Sequence, residues 1–339
     1  MALIAALLDP RCLSDISARS WNEMLVQARD AGVLGRLEAE LDTRGLIVRA
    51  PAKARDHLHR GSIAAESSRT AVRYEMNRVR RAIGNLNVPL ILLKGGAYLA
   101  AELPPARGRV VGDLDFMVPR ARIGEVEQAL REAGWASVQL DPYDERYYRE
   151  YAHEIPPLLH PDRQTPLDVH HTIVPLTSRL RPDAEALQAA SIRVGDTGWR
   201  VLAPADMVLH SAVHLFNDEV GKPLRDLFDL HDLLTYFGKT VGFWDELIAR
   251  ARLHQLGRPL YYALRYTRQL LDTPVPNQTW EAAQDFAPAW PTCEVMDRLF
   301  TYYFLPEPLD ETRRGAALAR WILYVRTHWL RMPPALLAR

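Results

Sequence analysis

The chain has 339 residues, 48% hydrophobic and 25% charged, a globular composition that excludes disordered and fibrous classes. Its 42 basic residues match 42 acidic ones, so no global field drives it onto long nucleic acid or an anionic membrane. The two cysteines, Cys12 and Cys293, lie far apart and build neither a disulfide framework nor a ligand pair, as suits a reducing cytoplasm.

The opening Met1–Leu8 run is apolar, but it lacks a basic leader and meets Asp9-Pro10 too soon for a signal core, so it reads as a first helix. No run approaches the ~20 apolar residues of a membrane span, and a cytoplasmic protein without membrane partners is expected. Up to residue 86, apolar positions such as Trp21, Leu25, Ala28, Val33, Leu34 and Leu37 recur at helical steps, with Gly32 and Gly45 as breaks. A long helix is predicted over 52–83. Asn85-Leu86-Asn87 makes a turn, and Val88–Leu93 a short buried strand with Pro89 near its start, where a missing N–H is tolerated.

Lys94-Gly95-Gly96 ends that strand and opens a short helix over 97–102. Its glycines leave backbone N–H groups and a positive helix end open to phosphate oxygens. Lys94 is also one of only four lysines, with Lys53, Lys222 and Lys239. A second strand over 113–118 carries Asp113 and Asp115, whose i, i+2 spacing turns both carboxylates to one face. Two like charges in an apolar run are costly unless compensated, and one divalent cation compensates both.

An amphipathic helix over 123–133 is stopped by Gly134 and followed by a strand over 136–140. Segments 155–160 and 166–172 flank the turn Pro161-Asp162-Arg163-Gln164 as a hairpin, and segments 191–194 and 199–202 form another. Asp168 lies on the first hairpin between apolar neighbours. Asp113, Asp115 and Asp168 are therefore expected to converge on one face, where three oxygen donors suit Mg²⁺ or Mn²⁺. From Pro204 the pattern is helical again, with later segments near 223–237, 243–256, 258–272 and 310–330. The expected fold is α+β: N-terminal helices over 1–86, a small mixed-sheet core over 87–202 and a C-terminal helical domain over 203–339.

His210 and His214 have the i, i+4 spacing of zinc-binding helices, but no glutamate follows the first, so they are expected to line a cleft or to contact Asp226 or Asp229. His170 shares a strand face with Asp168, His171 points away, and His153 with Glu154 approaches the same cleft. Arg109 has two readings, a phosphate clamp or a partner of Asp113 and Asp115. Tyr98 reads as packing.

Leu93-Lys94-Gly95-Gly96, Arg109, the run Gly112-Asp113-Leu114-Asp115-Phe116-Met117-Val118, and Leu167-Asp168-Val169-His170-His171 together resemble the nucleotidyltransferase superfamily with a polymerase-β-like core. The chain is more similar to the bacterial branch in which Lys-Gly replaces the usual Gly-Ser. Residues 202–229 resemble that branch's helical region, and the likeness runs from near residue 20 to near residue 240.

The resemblance implies transfer of a nucleotidyl group from a nucleoside triphosphate to a hydroxyl of a small molecule, peptide or protein. It makes Asp113 and Asp115 ligands to both metal ions, and Asp168 a ligand to the one that helps activate the acceptor. Gly95 and Gly96 would contact the β- and γ-phosphates, with Arg109 beside them. Lys94 would supply, as a point charge, the contact of the missing serine. Two rival readings keep the same site: a nucleotide-sugar donor, or a module that senses nucleotide or binds a partner without chemistry.

Overall fold

In the computed structural model, residues 2–13, 16–138, 140–217, 221–308 and 315–333 are described. The chain opens with α1 (Ala2–Leu8), α2 (Ala18–Asp30) and α3 (Leu34–Thr43), then the long α4 (Ala52–Ile83), whose ends match the sequence pattern. The Ser17 hydroxyl caps α2 by accepting the Ser20 N–H. At 32 residues α4 is about 48 Å long. It buries Leu58, Val72, Met76, Val79 and Ile83 at three-, four- and seven-residue steps, and such a stripe holds a mostly polar helix down.

Glycine is required where α3 and α4 meet the segment before the second strand. An ideal Cβ on Gly108, itself at φ +64°, would stand 2.2 Å from the Gly35 carbonyl oxygen, and one on Gly35 would stand 2.5 Å from the Gly108 oxygen. Only hydrogen fits in that space, so the backbones touch and the segment carrying Arg109 is pinned to the helical layer.

The central part follows as β1 (Ile91–Leu92), α5 (Lys94–Ala100), β2 (Leu114–Met117), α6 (Ile123–Glu132), β3 (Ala136–Ser137), α7 (Pro142–Glu150), β4 (Leu158–Leu159), β5 (Leu167–His170), α8 (Ala184–Ala190), β6 (Ile192–Arg193) and β7 (Arg200–Val201). The strands are shorter than the patterns that predict them. β1 is one case: Pro89 has no N–H, and pairing with the neighbouring strand begins only where the Arg200 N–H donates to the Leu90 carbonyl. Helix α5 starts at Lys94, three residues earlier than expected. Part of the strand expected over 136–140 falls on residue 139, outside the described residues.

Two helices of this central part were not anticipated. α7 has Tyr, Asp, Glu and Arg where a periodic apolar face would stand, yet the Asp141 side chain accepts from the Tyr143 and Asp144 N–H groups and Pro142 fills the first turn. α8 is capped by Asp183 in the same way.

The strands form one mixed sheet in the order β3-β4-β5-β2-β1-β7-β6. β2 runs antiparallel to β1 and parallel to β5, and the β2–β5 register sets Asp115 opposite Asp168. Side chains alternate along both strands. Leu114, Phe116, Leu167 and Val169 are all fully buried, each contributing about 1.5–3 kcal/mol. The opposite face carries Asp115, Asp168 and His170.

The remainder is helical: α9 (Pro204–Asn217), α10 (Pro223–Phe237), α11 (Phe243–Leu253), α12 (Gly257–Leu271), α13 (Asn277–Ala283), α14 (Trp290–Phe304) and α15 (Ala316–Arg331). Residues 310–314 of the last predicted segment lie outside the described residues. α9 is buried nearly all round, as befits the central helix against which α10, α11 and α12 pack. One hydrophobic cluster runs from Leu3 in α1 to Leu323 in α15, and the class is α+β. Among the described residues no helix is long and apolar enough to cross a membrane.

Candidate active site

Parallel pairing of β2 with β5 brings together two carboxylates that are 53 positions apart in sequence, and Asp113 joins them from the strand's entrance. One oxygen from each of Asp113, Asp115 and Asp168 lies within 4.8 Å of the others. Asp115 is fully enclosed, Asp168 partly, and Asp113 is the most open of the three. The predicted convergence is therefore a feature of the fold.

Three neighbours bear on this group. The Lys94 Nζ lies 2.7 Å from Asp115 Oδ1, and the His170 Nε2 lies 3.1 Å from the same oxygen. The His170 Nε2 is also 3.2 Å from Glu154 Oε2. Asp168 Oδ1 is buried and, among the described residues, has no hydrogen-bond partner, a costly state for a carboxylate oxygen.

The electrostatics follow from this uneven sharing. Burial by itself would raise the Asp115 carboxyl, but Lys94 and His170 more than offset it and hold the group well below the usual carboxylate range. Asp168 receives less help: burial, then the charges of Asp115 and Glu154, push it up to about 7 against a smaller opposing pull from His170. Asp113 is raised too, first by the Asp115 charge and then by burial. His170 moves up because Glu154 and Asp115 overcome the effect of burial. The triad thus holds more negative charge than its neighbours neutralise. An oxygen-rich group with one unpartnered oxygen fits a divalent cation such as Mg²⁺ or Mn²⁺.

Lys94-Gly95-Gly96 is the turn from β1 into α5. Lys94 adopts φ +44°, a left-handed conformation in a residue that bears a side chain. Gly95 and Gly96 are buried, and a Cβ on Gly95 would lie 3.0 Å from Val111 Cγ1 and 3.3 Å from Arg109 Nε. Close packing is thus one local reason for glycine here. No side chain caps α5, whose first described internal bond is from the Ala97 N–H to the Leu93 carbonyl. The N–H groups before it lie at the positive end of the helix.

Arg109 takes neither of its expected partners, Asp113 and Asp115. Its guanidinium pairs with Asp229 and stands 3.9 Å from Asp226, both on α10, with the ion pair buried. Asp226 also bonds Arg225 at 2.8 Å. Tyr98 is buried against the same group, hydrogen-bonded to Ser211, and so packs as expected. Among the described residues His210 and His214 belong to no metal-ligating cluster. His210 is buried, and its imidazole is pushed down to about 3 by that burial and then by Lys94 and His214.

A cavity of about 490 Å³ opens beside the triad, with Lys94, Asp168, His214, His153 and Glu154 on its walls. A further wall is α7, through Tyr143, Asp144, Tyr147 and Tyr148. Sequence reasoning missed this wall together with its helix. The Asp141-Pro142 cap signal could have located it.

A family model described as an uncharacterised nucleotidyltransferase matches residues 17–272. No curated protein matches the chain. Among solved structures, the solution structure of the antibiotic-resistance factor ANT(2'')-Ia is similar at 18% identity and a TM-score of 0.33, covering 57% of this chain and 94% of that one. That likeness is too slight to bear on chemistry.

Proposed function

The chain belongs to the uncharacterised nucleotidyltransferase family, and we propose that it transfers a nucleotidyl group from a nucleoside triphosphate to a hydroxyl with the help of Mg²⁺ or Mn²⁺. The observation that carries the metal and donor assignment is the convergence of Asp113, Asp115 and Asp168 around a buried, unpartnered carboxylate oxygen. Those three residues would hold the ion. Bound there, it would neutralise charge on the phosphates and lower the barrier to attack at phosphorus.

The chain's own groups do the remaining work. Lys94 partly balances Asp115 while facing the cavity, so its ammonium can also meet a phosphate as a point charge. The N–H groups of Gly95 and Gly96, in the first turn of α5 and with no side chain beside them, can take phosphate oxygens. The acceptor hydroxyl belongs in the cavity on the Asp168 side, against α7. Arg109 holds α10 behind the site and would have to leave Asp229 to reach a phosphate.

The test is binding and turnover in aspartate variants. Asp113→Asn and Asp115→Asn are each expected to weaken Mn²⁺-dependent binding of a nonhydrolysable triphosphate more than about 10-fold, by calorimetry, with an unchanged circular dichroism spectrum. Undiminished binding and pyrophosphate release in both variants would remove the triad from the reaction.

A further inference from the structure

Beside the aspartate triad lies a second cluster of different chemistry: His153, Glu154 and His170, each offering one donor atom within 4.8 Å of the others. We propose that this cluster is a separate site for a nitrogen-preferring divalent cation, with Zn²⁺ as its first choice. The proposal rests on donor geometry and does not depend on the transfer reaction.

The spacing is that of a coordination shell. Bonds of about 2.0–2.2 Å from zinc to nitrogen or oxygen put neighbouring donors of a tetrahedron about 3.3–3.6 Å apart. His170 Nε2 and Glu154 Oε2 are 3.2 Å apart, and His153 Nε2 is 4.0 Å from the same oxygen, within reach of a small turn of its ring. The two imidazole centroids are 5.1 Å apart with their planes inclined at 46°.

The backbone holds these donors in place. Glu154 and His170 face each other in an antiparallel bridge. The His171 N–H donates to the His153 carbonyl at 2.8 Å, and the Ile155 N–H to Val169 at 3.1 Å. All three ligands thus sit on two paired segments, preorganised before any ion arrives. His170 is 1% exposed and His153 9%. His153 and Glu154 also line the cavity, which leaves room for a water or a substrate atom in the open position.

Charge favours occupancy too. The His170 Nε2 faces Glu154 at 3.2 Å and Asp115 at 3.1 Å, so this imidazole nitrogen stands between two carboxylates. A cation held between His170 and Glu154 balances the Glu154 charge, while Asp115 keeps Lys94 at 2.7 Å. Two imidazoles and one carboxylate suit Zn²⁺ and are a poor set for Mg²⁺, whereas the all-oxygen triad has the opposite preference. Neighbouring sites therefore select different ions.

Metal-free full-length protein, dialysed against Zn²⁺ with excess Mg²⁺ and measured by atomic emission, tests this. We expect a single equivalent of Zn²⁺ to be retained, and His153→Ala and Glu154→Gln each to lower its affinity more than about 10-fold. Asp113→Asn is expected to keep the zinc. Co²⁺ in the wild-type chain reports without any variant, since ligation by imidazole gives a visible absorption spectrum distinct from that of an all-oxygen complex. Failure of the wild type to hold Zn²⁺ against Mg²⁺, an all-oxygen cobalt spectrum, or full zinc retention by both folded variants would each overturn the proposal.

Discussion

Lys94 stands at φ +44°, where a residue with a side chain loses about 1–2 kcal/mol. Its 2.7 Å ion pair with Asp115 offsets that loss and tells why the lysine is held there. Asp168 is the counterpart that makes no ion pair among the described residues and feels only a minor pull from His170. Its carboxyl is raised from 3.8 to about 7, so between those values the folded protein holds a proton that the unfolded chain has released. Without metal, stability contributed by this group therefore falls as pH rises from near 4 to near 7. Asp168→Asn removes that loss. In chelator, urea unfolding is expected to show the variant more stable than its parent by on the order of 1–3 kcal/mol above neutral pH, with little gain below pH ~4. A difference independent of pH would contradict the assignment. Both side chains were recognisable as unusual in the sequence. The partner of Lys94 was not, because the Lys94–Asp115 pair closes across 21 positions.

Elements decide how the site is walled. α7 brings four polar or aromatic side chains to the cavity, and the segment around Gly108 brings Arg109 under α10. Gly108→Ala would force a Cβ onto the Gly35 carbonyl in a left-handed conformation. A loss of more than about 2 kcal/mol is expected by thermal melting. The buried Arg109–Asp229 pair makes a different prediction. Arg109→Met alone strands a carboxylate and is expected to cost about 3–5 kcal/mol, whereas adding Asp229→Leu restores most of it, as a double-mutant cycle would show. Periodicity located α4, α9 to α12 and α15, since each carries apolar residues at helical spacing, but it marked neither α13 nor α14. It missed α7, which has no apolar stripe and depends on its cap and on packing over the cavity.

At the scale of the whole molecule, one hydrophobic cluster ties the helices before the sheet to those after it, and the aspartates lie within that frame. A cation that binds the folded state alone adds to its stability by mass action. Mn²⁺ at ~100 times its dissociation constant is expected to add about 2.7 kcal/mol, measured as a rise in melting temperature over chelator, and the gain is expected to vanish in Asp113→Asn. An equal rise in parent and variant would place the ion elsewhere.

The local statements were settled along the chain itself: a two-residue period set Asp113 and Asp115 on one side of a strand, turn chemistry marked the hairpin bearing Asp168, and apolar spacing marked the long helix over 52–83. Tertiary structure alone decided which groups face which. The β2–β5 register set Asp168 beside Asp115, glycine contacts carried Arg109 to α10, and strand pairing put Glu154 against His170. The reason is one of range: propensity and periodicity act over a few residues, while charge balance and ligand geometry depend on distances between segments that only packing determines.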